Sequence, residues 1–118
     1  MKAAARDVAK IERDATVMLD VQTIAVTFRS VPPQEVRDAL KRRGFRFGSG
    51  RWTYRPREFD EASRAWLRGD ADAAEREAAA VAAAKALARE VAHEVAAAGL
   101  RVVLLGDVDG NEIEYEIL

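Results

Sequence analysis

The sequence contains no cysteine, a single histidine and no long apolar run. Without cysteine the chain has no disulfide framework, no thiolate nucleophile and no zinc site built on sulfur. A membrane-spanning helix needs roughly 18 consecutive apolar residues, and the first residues lack the apolar stretch of a signal peptide. These absences predict a cytoplasmic protein that does not enter a membrane.

The composition that remains is typical of one soluble globular domain. The chain has 118 residues, of which 49% are hydrophobic and 33% are charged, and this length can bury a core without cross-links. We therefore treat residues 1–118 as a single domain. The order of helical and strand patterns predicts an α+β fold, with an antiparallel sheet of about five strands packed against a long C-terminal helix and shorter helices.

The first half of the chain has the patterns of a helix, a strand and a second helix. Helical spacing covers the first dozen residues, and residues 15–20 fit either the end of that helix or a separate strand. Residues 23–28 alternate between apolar and polar or small side chains, which predicts a strand. A second helix begins at the prolines before Gln34 and ends at Gly44, a residue that can adopt the left-handed conformation.

The second half has the patterns of two helices and a hairpin. Residues 58–68 predict a short helix that buries Phe59, Ala62 and Trp66. The alanine-rich residues 71–98 predict a long helix. Its apolar stripe consists of Ala84, Leu87, Val91, Val95 and Ala98. A C-terminal hairpin then turns at Asp109-Gly110. In that register Val102, Leu104, Ile113, Tyr115 and Ile117 share the buried face, and Glu112, Glu114 and Glu116 lie on the other face.

The segment RGFRFGSGRWTYRPR, residues 43–57, combines four aromatic residues with five arginines. A two-residue turn at Ser49-Gly50 would place Phe47 opposite Trp52 on one face of a hairpin. Phe45 and Tyr54 would share that face, and Arg46 would lie on the opposite one. We predict that the rings lie mainly in the core and that the arginines form an outer rim.

The charge distribution indicates what this rim binds. Eleven basic and five acidic residues lie between Arg29 and Arg68, a balance of +6, so the rest of the chain carries −7 of the net charge of −1. Such an asymmetry is typical of a surface that faces a polyanion, or of two halves that attract each other. The first interpretation predicts a nucleic-acid site formed by Arg42, Arg43, Arg46, Arg51, Arg55 and Arg57.

Other motifs that could carry chemistry fit ordinary structural roles better. His93 lies opposite the apolar stripe of its helix, without a predicted partner for acid–base work. The stretch DVDGNE lacks the glycine and the final acid that a calcium loop requires. No nucleophile–base pair and no metal-ligating cluster can be assembled from the sequence. We therefore expect no catalytic residue, metal or cofactor, and predict that the protein is not an enzyme.

Residues 24–56 resemble two kinds of protein. Six of their residues match a small module of phage- and plasmid-encoded proteins: Pro33, Leu40, Gly44, Phe45, Phe47 and Trp52. This resemblance implies a mobile-element setting and no catalytic residue. The stretch is also similar to the HicA family of mRNA-cleaving toxins, in which a helix ending in GF precedes strands that contain GSH. Gly50 stands at the histidine's place here, so this resemblance implies RNA binding without cleavage.

Three functional interpretations follow. The first is a phage- or plasmid-type accessory protein that binds DNA or RNA through the arginine rim. The second is a protein-binding inhibitor of the anti-defence type, which would contact its partner through Glu112, Glu114 and Glu116. The third is a de novo designed scaffold without a natural partner, because near-ideal helices, a DG hairpin and the absence of cysteine also fit a design. The sequence leaves the partner and the oligomeric state open.

Overall fold

The structure, a computed structural model, describes residues 2–3, 12–109 and 112–118, with side chains for residues 12–106 and 115–118. The described residues form helices α1 (Gln34–Arg42), α2 (Glu58–Arg68) and α3 (Ala73–Ala97). They also form strands β1 (Lys2–Ala3), β2 (Ala15–Asp20), β3 (Thr23–Phe28), β4 (Arg46–Gly48), β5 (Arg51–Tyr54), β6 (Val102–Asp109) and β7 (Glu112–Ile117). The helix predicted over the first dozen residues lies largely outside the described residues, but Lys2–Ala3 is a strand.

The seven strands form one mixed sheet in the order β1-β7-β6-β2-β3-β5-β4. Its neighbouring strands are antiparallel except β2 and β6, which run parallel with Ala15 opposite Val102. The α+β class is therefore confirmed, and the predicted sheet of about five antiparallel strands is roughly compatible with the observed one but not exact, because the observed sheet has more strands and one parallel pair. A parallel pair needs a long crossover connection, and the chain between β2 and β6 contains all three helices.

Residues 15–20, which the sequence left undecided, form strand β2. They pair with β3 along their whole length, from Ala15 opposite Phe28 to Asp20 opposite Thr23. Ala15 and Val17 are buried on the same face, and the β-branched residues of this segment suit a pleated, half-buried surface. Strand β2 lies between β3 and β6 and so joins the two hairpins into one sheet.

One face of the sheet packs against α1 and α3. Side chains from four strands and the two helices form the main core cluster, among them Val17, Val26, Trp52, Leu104, Leu40, Val91 and Val95. Of the stripe predicted for α3, Ala84, Val91 and Val95 are buried, while Leu87 is half-buried. Ala88 and Ala92 complete the contact, because alanine lets a helix approach a sheet closely.

Helix α2 has the predicted bounds, but one residue of its predicted buried face is exposed. Phe59 and Ala62 are buried together with Ala65, whereas Trp66 is 55% exposed. The Trp66 indole N–H donates a hydrogen bond to Oε2 of Glu77 on α3 at 2.6 Å. The indole N–H thus has its hydrogen-bond partner at the surface of the protein.

The β4–β5 hairpin has the predicted register. Phe47 lies opposite Trp52 and Arg46 lies opposite Thr53. The two residues of the turn both have positive φ, 52° at Ser49 and 79° at Gly50, as expected for the hairpin turn that matches the twist of two strands. Strand β4 is an outer edge of the sheet.

The β6–β7 hairpin has a different register from the predicted one. Asp109 lies opposite Glu112, so the predicted turn at Asp109-Gly110 is displaced, although residues 110–111 lie outside the described residues. A bulge between Leu105 and Val108 then shifts the pairing, which places Tyr115 opposite Leu105. Leu104 lies opposite Glu116, so Glu116 shares the helix-covered face of the sheet. The predicted common face of Leu104 and Tyr115 is therefore wrong.

Candidate nucleic-acid interface

The turn between α1 and β4 determines where the arginine segment meets the sheet. Gly44 has a φ of 93°, and its N–H donates to the carbonyl of Lys41, while the N–H of Phe45 donates to the carbonyl of Leu40, both at 3.0 Å. These are the two hydrogen bonds of a Schellman motif. The motif ends α1 abruptly and directs Phe45 into the core, so β4 begins immediately beside the end of the helix.

Three of the four aromatic residues in the hairpin pack into the protein. Phe45 and Trp52 are buried and Tyr54 is half-buried, and the ring centroids of Phe45 and Tyr54 are 5.4 Å apart. Phe47 is 63% exposed, although it lies on the same face as Trp52. The hairpin therefore contributes most of its rings to the core and leaves one at the edge of the sheet.

Arg46 and Arg51 lie on the face of the hairpin away from α3. Arg46 is opposite Thr53, and Arg51 precedes Thr53 by two residues on β5, so all three side chains share that face. Nη1 of Arg51 crosses β3 to reach Oδ2 of Asp20 at 3.1 Å. Arg46 is exposed and forms no ion pair with the side chains that the structure describes.

Arg55 and Arg57 flank the start of α2. Nε and Nη2 of Arg55 donate to Oδ1 of Asp60 at 3.1 and 2.9 Å. Nε of Arg57 lies 3.9 Å from Oε1 of Glu61, which is a long contact, and the Arg57 side chain is 85% exposed. The guanidinium of Arg57 is therefore largely in solvent, whereas that of Arg55 is held in place.

Arg42 and Arg43 lie on the side of α1 that faces α3. Nε of Arg43 donates to Oε2 of Glu94 at 2.6 Å. Arg42 lines a cavity of about 300 Å³ between the two helices, together with Glu35 and Glu94. These two arginines thus lie on the helix-covered side of the sheet, while Arg46 and Arg51 lie on its other face. The six predicted residues do not form one continuous row.

The acids that pair with the rim were not identified from the sequence. Arg43 and Arg51 contact Glu94 and Asp20, which lie far away in the chain and come close only through the packing of α1 on α3 and the strand order. The partners of Arg55 and Arg57 are local. None of these pairs uses Glu116, the acid of the C-terminal hairpin whose side chain is described.

Glu116 instead pairs with α3. Its Oε2 lies 2.8 Å from Nη2 of Arg89, and the hydrogen bond and charge of Glu116 raise the pKa of the Arg89 guanidinium. The prediction that Glu116 lies on a solvent-facing strip is therefore wrong, because the bulge in β6 turns this side chain toward α3. The side chains of Glu112 and Glu114 lie outside the described residues.

Of the residues considered for catalysis and metal binding, the structure describes the side chain of His93, whereas the side chains of the DVDGNE stretch lie outside the described residues. His93 is exposed on α3, as the sequence predicts. Among the described residues no group of three or more histidine, cysteine, aspartate or glutamate side chains could hold a metal ion. None of the described helices is both long enough and apolar enough to cross a lipid bilayer.

Comparison of the chain with protein-family models, curated proteins and solved structures gives no match. The two resemblances of residues 24–56 therefore stay predictions, as do the accessory, inhibitor and design interpretations.

Proposed function

We propose that this protein binds nucleic acid through the arginines of the β4–β5 hairpin and the start of α2, with Arg46 as the principal phosphate contact. The observation that carries the proposal is the position of Arg46, which is exposed on an edge strand without an ion pair to any described side chain. A guanidinium in this state binds a phosphate without first giving up a carboxylate, and its planar fork suits phosphate oxygens.

The ion pairs of the neighbouring arginines are compatible with this role. The side chains of Arg51 and Arg55 are 38% and 46% exposed, and ion pairs at such exposure contribute only about 0–1 kcal/mol. Binding of a polyanion releases counterions from several phosphates. The free energy gained in this way exceeds the contribution of one such ion pair. Arg51 can therefore replace its contact with Asp20 by a contact with a phosphate, and Arg55 can do the same with its contact to Asp60. Arg57 has only a long ion-pair contact to replace.

The distribution of charge along the chain supports the same function. The stretch from Arg29 to Arg68 carries +6, although the net charge of the protein is −1. Local positive charge of this kind raises the rate of encounter with a polyanion even when the whole protein is slightly acidic. The sheet edge that contains β4 belongs to this stretch, which favours approach from that side.

Fluorescence anisotropy with a labelled oligonucleotide tests the proposal. The variant Arg46→Ala should weaken binding by at least about tenfold, as expected for the loss of one hydrogen-bonded contact between charged groups worth about 1.5–3 kcal/mol. Arg101→Ala is the matched control, because it removes the same charge from an exposed residue between α3 and β6. Its effect on affinity should be clearly smaller.

Two results would contradict the proposal. One is the absence of binding by the unaltered protein at low salt. The other is an equal loss of affinity for Arg46→Ala and Arg101→Ala, since this would indicate a response to net charge alone. The inhibitor interpretation keeps its own test, because reversing the charge of Glu114 should then abolish capture of a protein partner.

A further inference from the structure

Phe47 packs against Trp52 and is otherwise largely exposed. Its centroid lies 5.3 Å from that of Trp52, with an angle of 59° between the ring planes. Trp52 is only 6% exposed and belongs to the main core cluster, so the contact fixes the position of Phe47 against a rigid neighbour. The same Phe47 ring is 63% exposed to solvent.

The surroundings of Phe47 leave room for a flat ligand. The strand that carries it is the outer edge of the sheet, and the next three residues are Gly48, Ser49 and Gly50. The residues that follow Phe47 thus add no side chain larger than serine beside its exposed ring.

Arg46 provides a charge next to this ring. Consecutive side chains of a strand point to opposite faces, but both faces of an edge strand are reached from the open side of the sheet. A chain that lies along the β4 edge can thus place a phosphate on Arg46 and a flat ring on Phe47. Aromatic stacking with a charged neighbour is the usual way of holding unpaired nucleotides.

We infer that Phe47 stacks on an unpaired base, so that the site prefers single-stranded nucleic acid to a duplex. This inference rests on the proposed function. In a duplex both faces of each base are covered by their neighbours, and exposing one requires unstacking. The bases of an intact duplex are therefore closed to Phe47, and a duplex would contact the arginines alone.

The test compares a labelled oligothymidylate with a labelled duplex of equal length, using Phe47→Ala and Phe47→Leu. Loss of one stacked base weakens binding about 5- to 100-fold. We expect this loss for oligothymidylate and little change for the duplex. Phe47→Trp should retain the single-strand affinity, whereas Phe47→Leu should resemble Phe47→Ala because leucine lacks a π face. Circular dichroism checks that each variant is folded, as expected for an exposed position.

A fluorescence signal reports the contact directly. The protein contains two tryptophans, and Trp66→Phe leaves Trp52, the neighbour of Phe47, as the single reporter. Oligothymidylate should change the emission of Trp52 in this background, and the duplex should change it less.

The results separate this inference from the function on which it rests. If Phe47→Ala binds oligothymidylate as tightly as the unaltered protein while Arg46→Ala binds weakly, the stacking inference is wrong and the proposed function stands. If Phe47→Leu retains full affinity, Phe47 makes a general apolar contact and the inference is again wrong. If neither probe binds the unaltered protein, both fail.

Discussion

Helices α1 and α3 are each followed by a glycine and a hairpin, but the two hairpins occupy different places in the sheet. The β4–β5 hairpin forms one side of the sheet and ends in a short outer strand. In the other hairpin, β6 lies beside β2 and the longer strands carry a bulge. The same local order of elements thus places β4, the first strand of one hairpin, at an open edge of the sheet and β6, the first strand of the other, inside the sheet. Arg46 and Phe47 are accessible because they lie on the edge strand.

The two glycines differ in the space around them, which gives the largest expected effect. Gly44 and Gly99 have nearly equal φ angles of 93° and 92°. A Cβ on Gly44 would lie 3.2 Å from Cε1 of Tyr54, whereas a Cβ on Gly99 would meet nothing within 4 Å. Both alanine variants incur the cost of the left-handed conformation, about 1–2 kcal/mol, and only Gly44→Ala must also displace Tyr54, for about 1–3 kcal/mol more.

Chemical denaturation measures this difference. We expect the free energy of unfolding to fall by about 2–5 kcal/mol for Gly44→Ala and by about 1–2 kcal/mol for Gly99→Ala. Equal losses of unfolding free energy would show that Tyr54 moves aside without cost. This result would contradict the close packing of Tyr54 against Gly44.

The turn of the β4–β5 hairpin can be compared with that of β2–β3. Val21 has a φ of 58° and is 85% exposed, while Ser49 has a φ of 52°. A β-branched residue is the less favourable of the two in this region. Val21→Gly should therefore raise the free energy of unfolding by about 1 kcal/mol, and Ser49→Gly should raise it less. Destabilisation by Val21→Gly in thermal and chemical unfolding would contradict this geometry.

Each hairpin is also connected to a neighbouring element by an ion pair. The Glu116 side chain that binds Arg89 is 24% exposed, while the Asp20 side chain that binds Arg51 is 40% exposed. A double-mutant cycle should give a coupling of about 0.5–1 kcal/mol for the first pair and less for the second. Zero coupling between Arg89 and Glu116 would favour the solvent-facing position that the sequence predicts for Glu116.

The two hairpins also show which features a sequence can predict. The signals for β4–β5 are local: Gly44 ends the helix, and Ser49-Gly50 accepts two positive φ angles, so the register follows. In β6–β7 a strong local turn signal at Asp109-Gly110 gives the wrong register. The bulge after Leu105 is not visible in the alternation of apolar residues.

The features of the candidate site that depend on distant contacts could not be predicted. The exposure of Phe47 depends on β4 being the outer strand, and the pairing of Arg51 with Asp20 depends on β2 lying two strands away. Both result from the antiparallel pairing of β5 with β3, which no local pattern encodes. The arginines themselves were identified correctly as a basic segment, but their division between two sides of the fold was not.

The salt dependence of single-strand affinity tests the central claim most directly. If the arginines of the β4–β5 hairpin neutralise phosphates, the logarithm of the association constant should fall linearly with the logarithm of the salt concentration, by about 0.7 per phosphate contacted. Arg46→Ala should make this slope shallower by about the same amount. An affinity that does not change with salt, or a slope unaffected by the loss of Arg46, would contradict the account.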